Sequence, residues 1–153
     1  MKHYIMKNTW VLAIVAVFAT MAFRYEPVSE KAATFFTANS GIKFDKLGFD
    51  KALKQAKSTE KLIFIDVHTS WCGPCKEMAK TTFQSDAVGD VFNKKFINLK
   101  IDAEKDADGP TVAKKYGVSA YPTLLFINGD GKLVKKLVGK QSEEKLLSIA
   151  NGL

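Results

Sequence analysis

The stretch LIFIDVHTSWCGPCK, residues 62–76, decides the fold of this chain. It opens with a nearly continuous apolar run from Leu62 to Val67, which is typical of a strand buried on both faces. Cys72 and Cys75 follow, separated by Gly-Pro, and the residues after them carry apolar side chains at helical spacing. The stretch therefore predicts a buried strand, a short turn and a helix that begins at the cysteine pair.

The position of each cysteine in this helix predicts its chemistry. Cys72 lies at the helix N-terminus, where unpaired backbone N–H groups and the helix dipole stabilise a thiolate. Cys75 lies on the apolar stripe with Met78, so we expect it to be buried while Cys72 is exposed. Pro74 is tolerated in the first turn, and Gly73 lets the backbone of another chain approach the sulfurs. This arrangement predicts Cys72 as the nucleophile and Cys75 as the resolving thiol.

The elements on either side of this stretch predict an α/β fold. Upstream, Phe49, Ala52, Leu53 and Ala56 recur at the spacing of an amphipathic helix. Downstream, FINLKID, residues 96–102, alternates apolar and polar residues as a strand does.

The C-terminal part completes the element order. Asp108 is expected to cap a short helix with Pro110 in its first turn, and Ser142 to cap the last helix. Residues 128–131, Asn-Gly-Asp-Gly, lie between two apolar runs and predict a hairpin. The order helix, strand, helix, strand, helix, strand, strand, helix calls for a central mixed β-sheet flanked by helices on both faces.

The N-terminus predicts export. Residues 1–23 combine two early lysines with an uncharged apolar run, as in a signal peptide, and small residues indicate cleavage after Ala22. The alternative is an uncleaved anchor, in which residues 9–23 tether the domain to the membrane. Residues 24–41 are interpreted as a flexible tether and 42–153 as the folded domain, which would be periplasmic or otherwise exported.

Composition narrows the classes of function. A chain of 153 residues with 46% hydrophobic residues has room for one globular domain. The formal net charge of +7 is spread among acids, without the dense basic stripe of a nucleic-acid-binding protein. Export would permit a disulfide between the two cysteines. A bond across so short a loop contributes little stability, so the pair is expected to serve chemistry.

A metal site is the alternative use of the cysteine pair. His68 stands four residues before Cys72, but the chain has only two cysteines, and a closed zinc site requires four ligands. We therefore predict no metal. A copper-handling module using Cys72, Cys75 and His68 stays open as a minor alternative.

On this stretch, on Tyr121-Pro122-Thr123 and on Val138-Gly139, the chain resembles the thioredoxin family over residues 42–153, about three quarters of its length. The export signal and the KTTFQSDAV segment after the cysteines make it similar to periplasmic members such as the C-terminal domain of the DsbD interchange protein. The resemblance implies a thioredoxin fold and thiol–disulfide exchange.

The resemblance also implies roles for residues outside the cysteine pair. Asp66, six residues before Cys72, matches a buried carboxylate that relays a proton to or from the buried cysteine. Independently, an acid inside an apolar strand is expected to have a raised pKa, although a position at an exposed strand end is the alternative. The family keeps a lysine near this acid; alignment puts Asn98 there, and Lys100 lies two residues on.

Pro122 matches the family's cis-proline, which packs against the disulfide. Trp71, Tyr121 and Gly139, together with Gly73 and Pro74 of the motif, are expected to line a shallow substrate groove around Cys72. For Trp71 and Tyr121, ordinary core packing is the alternative.

The sequence thus predicts a reductase of protein disulfides that needs no cofactor. Gly-Pro between the cysteines favours the reducing direction, with electrons supplied by a membrane-embedded donor to a monomeric protein. An oxidase or isomerase of folding proteins is the alternative within the same chemistry.

Overall fold

The computed structural model describes residues 41–153. The predicted export segment, residues 1–23, and nearly all of the predicted tether lie outside the described residues. Within residues 41–153, no helix is long and apolar enough to cross a membrane.

Five helices and four strands alternate along the described chain. Their order is α1 (Phe49–Thr59), β1 (Leu62–His68), α2 (Gly73–Lys80), α3 (Asp86–Lys95), β2 (Phe96–Asp102), α4 (Gly109–Lys115), β3 (Thr123–Ile127), β4 (Leu133–Val138) and α5 (Glu143–Gly152). A short 3-10 turn, Thr82–Gln84, separates α2 from α3.

The strands form one mixed sheet in the order β2-β1-β3-β4. β1 pairs with β2 in parallel and with β3 antiparallel, and β3 pairs antiparallel with β4. The turn between β3 and β4 is held by Asn128, whose Oδ1 accepts hydrogen bonds from the backbone N–H groups of Asp130 and Lys132. The prediction of a central mixed sheet with a C-terminal hairpin is confirmed.

Strand alternation gives the sheet two faces of different composition. We call one the aliphatic face; it packs against α1 and α4, and its sheet residues are Ile63, Ile65, Val67, Ile97, Leu99, Ile101, Leu125 and Ile127. We call the other the aromatic face; it packs against α2, α3 and α5, and its buried apolar sheet residues are Phe64, Phe96, Leu124 and Phe126. Asp66 follows Phe64 by two residues on β1 and so shares the aromatic face.

Of the two helix caps predicted from the sequence, the one at α5 is present and the one at α4 is not. Ser142 caps α5 as predicted, with its hydroxyl accepting a hydrogen bond from Lys145 N. Asp108 stands at the N-cap position of α4 but makes no side-chain bond to that helix. Its Oδ2 instead accepts a hydrogen bond of 2.8 Å from the backbone N–H of Phe49, the first residue of α1. The reason is that the N-cap of α1 is Gly48, which has no side chain to offer.

Candidate active site

The two cysteines form a disulfide at the N-terminus of α2. Cys72 is the N-cap residue, with extended backbone, and its Sγ accepts a hydrogen bond of 3.2 Å from the backbone N–H of Cys75. Pro74 stands in the first turn, where its missing N–H leaves no helix hydrogen bond unmade. The helix N-terminus is therefore directed at the sulfur of Cys72, an arrangement that stabilises a thiolate there.

Both cysteines are buried in this disulfide-bonded state. Cys72 and Cys75 are each only 3% exposed. The prediction that Cys72 is exposed is therefore wrong for the oxidised form. The physical reason is that bonding to the buried Cys75 and to its backbone N–H holds the Cys72 side chain against the helix end.

Asp66 lies near the centre of β1 and is fully buried. Its cross-strand neighbours are Leu124 on β3 and Lys100 on β2. Among the described residues, neither carboxylate oxygen has a hydrogen-bond partner. Burial raises the pKa of Asp66 above the ordinary value of 3.8, and the charges of Lys100 and His68 oppose this only in part. The alternative considered from the sequence, in which Asp66 lies at the strand end and points into solvent, is therefore wrong.

Lys100 supplies the cation beside this acid. Its Nζ lies 3.7 Å from Asp66 Oδ2, beyond hydrogen-bond distance, so the contact is electrostatic. Asn98 is buried opposite Phe64 and donates a hydrogen bond to Asn93. The chain therefore carries its lysine two residues further along β2 than alignment with the family suggests.

The residues expected to form a substrate groove belong to the first turn of α2 and to three loops. We call Trp71, Gly73, Pro74, Tyr121, Pro122 and Gly139 the groove residues. The indole of Trp71 is 64% exposed and meets the ring of Tyr121 edge-on, with centroids 5.8 Å apart. The peptide bond between Tyr121 and Pro122 is cis, and Pro122 O accepts a hydrogen bond of 2.8 Å from Gly139 N.

The space over the two glycines of the groove is open. A Cβ added at Gly73 or Gly139 would meet no atom within 4 Å. Gly139 also has a φ of +84°, a conformation that side chains rarely adopt. Gln141 fixes this loop, donating from Nε2 to Gly139 O and from its backbone N–H to Met78 Sδ on α2.

One residue at this rim was not found from the sequence. Glu104 accepts hydrogen bonds from Trp71 Nε1 at 3.0 and 3.1 Å with its two carboxylate oxygens. It stands 33 positions away in the loop after β2, and no spacing in the sequence links the two. These hydrogen bonds fix the orientation of the exposed indole and place a negatively charged carboxylate at its edge.

A cleft of about 170 Å³ opens beside Cys75. Its lining residues are His68, Thr69, Ser70, Cys75, Lys76, Ala79 and Lys100. Over residues 41–153, the structure contains no cluster of three or more His, Cys, Asp or Glu side chains able to hold a metal ion.

Comparison with known proteins gives the chain its relatives. The family model described as "Thioredoxin-like domain" matches residues 49–152. Thioredoxin H4 from Arabidopsis thaliana is 41% identical over 96 residues, which are 60% of this chain and 71% of that protein. Thioredoxin H1 from the same plant is 30% identical over 105 residues, 69% of this chain and 85% of its own.

Solved structures extend the similarity. The solution structure of a candidate disulphide-isomerase from Bacteroides thetaiotaomicron is 50% identical and superposes with a TM-score of 0.64, covering 71% of this chain and 89% of that one. The C-terminal domain of DsbD from Neisseria meningitidis, at 22% identity and a TM-score of 0.57, covers 72% of this chain and 97% of its own and shares the fold.

Proposed function

The chain belongs to the thioredoxin-like family and is a thiol–disulfide oxidoreductase, and from this membership we propose that it reduces disulfide bonds of exported proteins through Cys72 and Cys75. The observation that carries the proposal is the Cys72–Cys75 disulfide at the N-terminus of α2.

The proposed reaction begins at Cys72. Its thiolate, stabilised by the N-terminus of α2, attacks one sulfur of a substrate disulfide and expels the other as a thiolate. Cys75, once deprotonated, attacks Cys72 Sγ, so the mixed disulfide breaks and the second substrate thiolate leaves. The dithiol of the enzyme supplies both electrons and ends as a disulfide, so the exchange requires no cofactor or metal.

Asp66 is proposed to accept the proton of Cys75. Its carboxylate is fully buried without a hydrogen-bond partner among the described residues, and burial raises its pKa, which suits proton exchange nearer to neutral pH. The nearby Lys100 supports the ionised form and keeps the pKa from rising further. Asp66 thus has the environment of a proton acceptor.

The groove residues are proposed to bind an extended segment of the substrate. The exposed indole of Trp71 offers apolar contact, and the open space over Gly73 and Gly139 leaves room for the backbone of another chain. Substrates are expected to be proteins, since the open space over the two glycines suits an extended backbone.

Direction and location complete the proposal. The Gly-Pro pair between the cysteines favours a reductase, and the apolar N-terminal run supports export. We expect the exported protein to act as a monomer and to receive its electrons from a membrane-embedded protein. A second candidate is a disulfide isomerase, which the 50% identity to the Bacteroides thetaiotaomicron protein favours, and a disulfide oxidase is the remaining alternative.

The equilibrium redox potential of the Cys72–Cys75 pair tests the direction. We expect a value near the thioredoxin end of the known range, about −270 mV, in a graded thiol buffer. A value near −180 mV, with reactivation of scrambled ribonuclease, would favour the isomerase, and one near −120 mV the oxidase. The variant Cys75→Ser is the control: it is expected to accumulate a stable mixed disulfide with substrate.

A further inference from the structure

The cleft beside Cys75 is separate from the groove. It is lined by the resolving cysteine, by Lys100 and by His68, and by none of Trp71, Tyr121 and Pro122. A substrate that covers the groove would leave this cleft open to water. The resolving cysteine is therefore reached from solvent by a second path.

The buried acid needs such a path. Asp66 is fully buried and its oxygens have no hydrogen-bond partner among the described residues. Once Asp66 has taken the proton of Cys75, it is therefore hydrogen-bonded to no group in that part of the chain that could receive the proton next. While a substrate lies over the groove, that side is closed to buffer. Lys100 connects Asp66 to the cleft, because its Nζ lies 3.7 Å from the carboxylate and its side chain lines the cleft.

His68 stands where this path meets solvent. It follows Asp66 by two residues on β1, on the same face, and is partly exposed. Its imidazole carries two ring nitrogens, one able to accept a proton and the other able to donate one.

We propose that the cleft is the proton route of the resolving step and that His68 is its outer relay. The proposal rests on the function proposed above. The proton leaves the Cys75 thiol for the Asp66 carboxylate and passes through cleft water to the imidazole of His68. From there it goes to buffer, while the Cys75 thiolate attacks Cys72 Sγ. One proton is released and no electron is exchanged on the route.

Charged groups of both signs surround His68. Asp66 is on its own strand, while Asp102 and Lys100 face it from β2 and Lys76 lines the cleft from α2. Asp102 opposes His68 in the β1–β2 register, and Lys105 lies beside Asp102. The substitution His68→Gln leaves these two carboxylates and three ammonium groups in place, so it removes the imidazole without removing any of the fixed charges around it.

The test compares His68→Gln with the unchanged protein in stopped-flow reduction of a labelled peptide disulfide, at saturating peptide so that resolution limits the rate. We expect the variant to resolve at least about tenfold more slowly near pH 7. Added imidazole should restore the rate in proportion to its free base and leave the unchanged protein unaffected. The redox potential should stay the same, since a relay alters a rate and not an equilibrium.

Two further variants isolate the route. Asp66→Asn should be slow and not rescued by imidazole, because the inner acceptor is gone. Lys76→Gln, which changes the charge of the lining without removing a relay, should show no dependence on imidazole. The relay is overturned if folded His68→Gln resolves at the normal rate, or if its deficit is indifferent to imidazole. Absence of disulfide exchange by the unchanged protein would instead count against the proposed function.

Discussion

The two faces of the sheet use the same strands for different purposes. Ile65 and Asp66 are adjacent in β1 and both are fully buried. Ile65 lies on the aliphatic face between Leu99 and Leu125, whereas Asp66 lies on the aromatic face between Lys100 and Leu124. On the aliphatic face, Ile63 and Ile65 have only apolar cross-strand neighbours. The aromatic face holds a carboxylate, a cation and the cleft beside the disulfide.

The difference shows how the domain divides its tasks. The aliphatic face stabilises the fold, while the aromatic face accommodates a destabilising buried acid that serves the proposed chemistry. A buried carboxylate without hydrogen-bond partners destabilises the fold, and the apolar cluster on the aliphatic face offsets this loss. The division leads to three expectations.

The largest effect is expected from moving the carboxylate by one position. Ile65→Asp would bury an acid on the aliphatic face with no cation beside it, and we expect it to lower the free energy of unfolding by more than about 4 kcal/mol at pH 7. Denaturant unfolding measures this, with the neutral Ile65→Asn as the matched control. The charged variant should approach the neutral one as the pH falls towards 4. Equal stability of Ile65→Asp and Ile65→Asn at pH 7 would show that the aliphatic face accommodates a charge as well as the aromatic face does.

A smaller effect of opposite sign is expected from Asp66→Asn. The folded pKa of Asp66 is raised, so the native state gains stability from this group at low pH and loses it as the pH rises through the folded pKa. The variant should match the unchanged protein near pH 3.8 and become more stable above it, by about 1–3 kcal/mol at most. Urea unfolding between pH 3 and 8 measures the curve. A constant difference across that range would contradict the assignment.

The smallest effect concerns helix caps on the two sides. Asp108→Ala removes the side chain that caps α1 on the aliphatic side, and Ser142→Ala removes the local cap of α5 on the aromatic side. Each should cost about 1 kcal/mol of unfolding free energy and leave the redox potential unchanged. A shifted potential in Asp108→Ala would show that the aliphatic side also controls the site.

The parts of this structure that local patterns determine were accessible from the sequence. The apolar run of β1, the helix that begins at the cysteines and the Asn-Gly hairpin each follow from neighbours along the chain, and all were predicted. The burial of Asp66 followed in the same way, because an acid within a continuous apolar run shares the environment of that run.

The parts that depend on register and on distant contacts were not accessible. Nothing in FINLKID states which residue pairs with Asp66, since shifting the register of β2 by two residues keeps the same face. Lys100, rather than Asn98, is its partner only because of how β1 and β2 align. Asp108 at the end of α1 and Glu104 at Trp71 are likewise long-range contacts. The burial of Cys72 required knowing the oxidised geometry.

The indole of Trp71 gives the domain an optical property. It is the only tryptophan in residues 41–153, it adjoins Cys72, and Glu104 and Tyr121 hold its ring in place. Disulfides quench the emission of nearby indoles, so opening the Cys72–Cys75 bond should brighten this fluorophore. The intrinsic fluorescence of Trp71 should therefore report the redox state of the Cys72–Cys75 pair, so that turnover can be followed without a label.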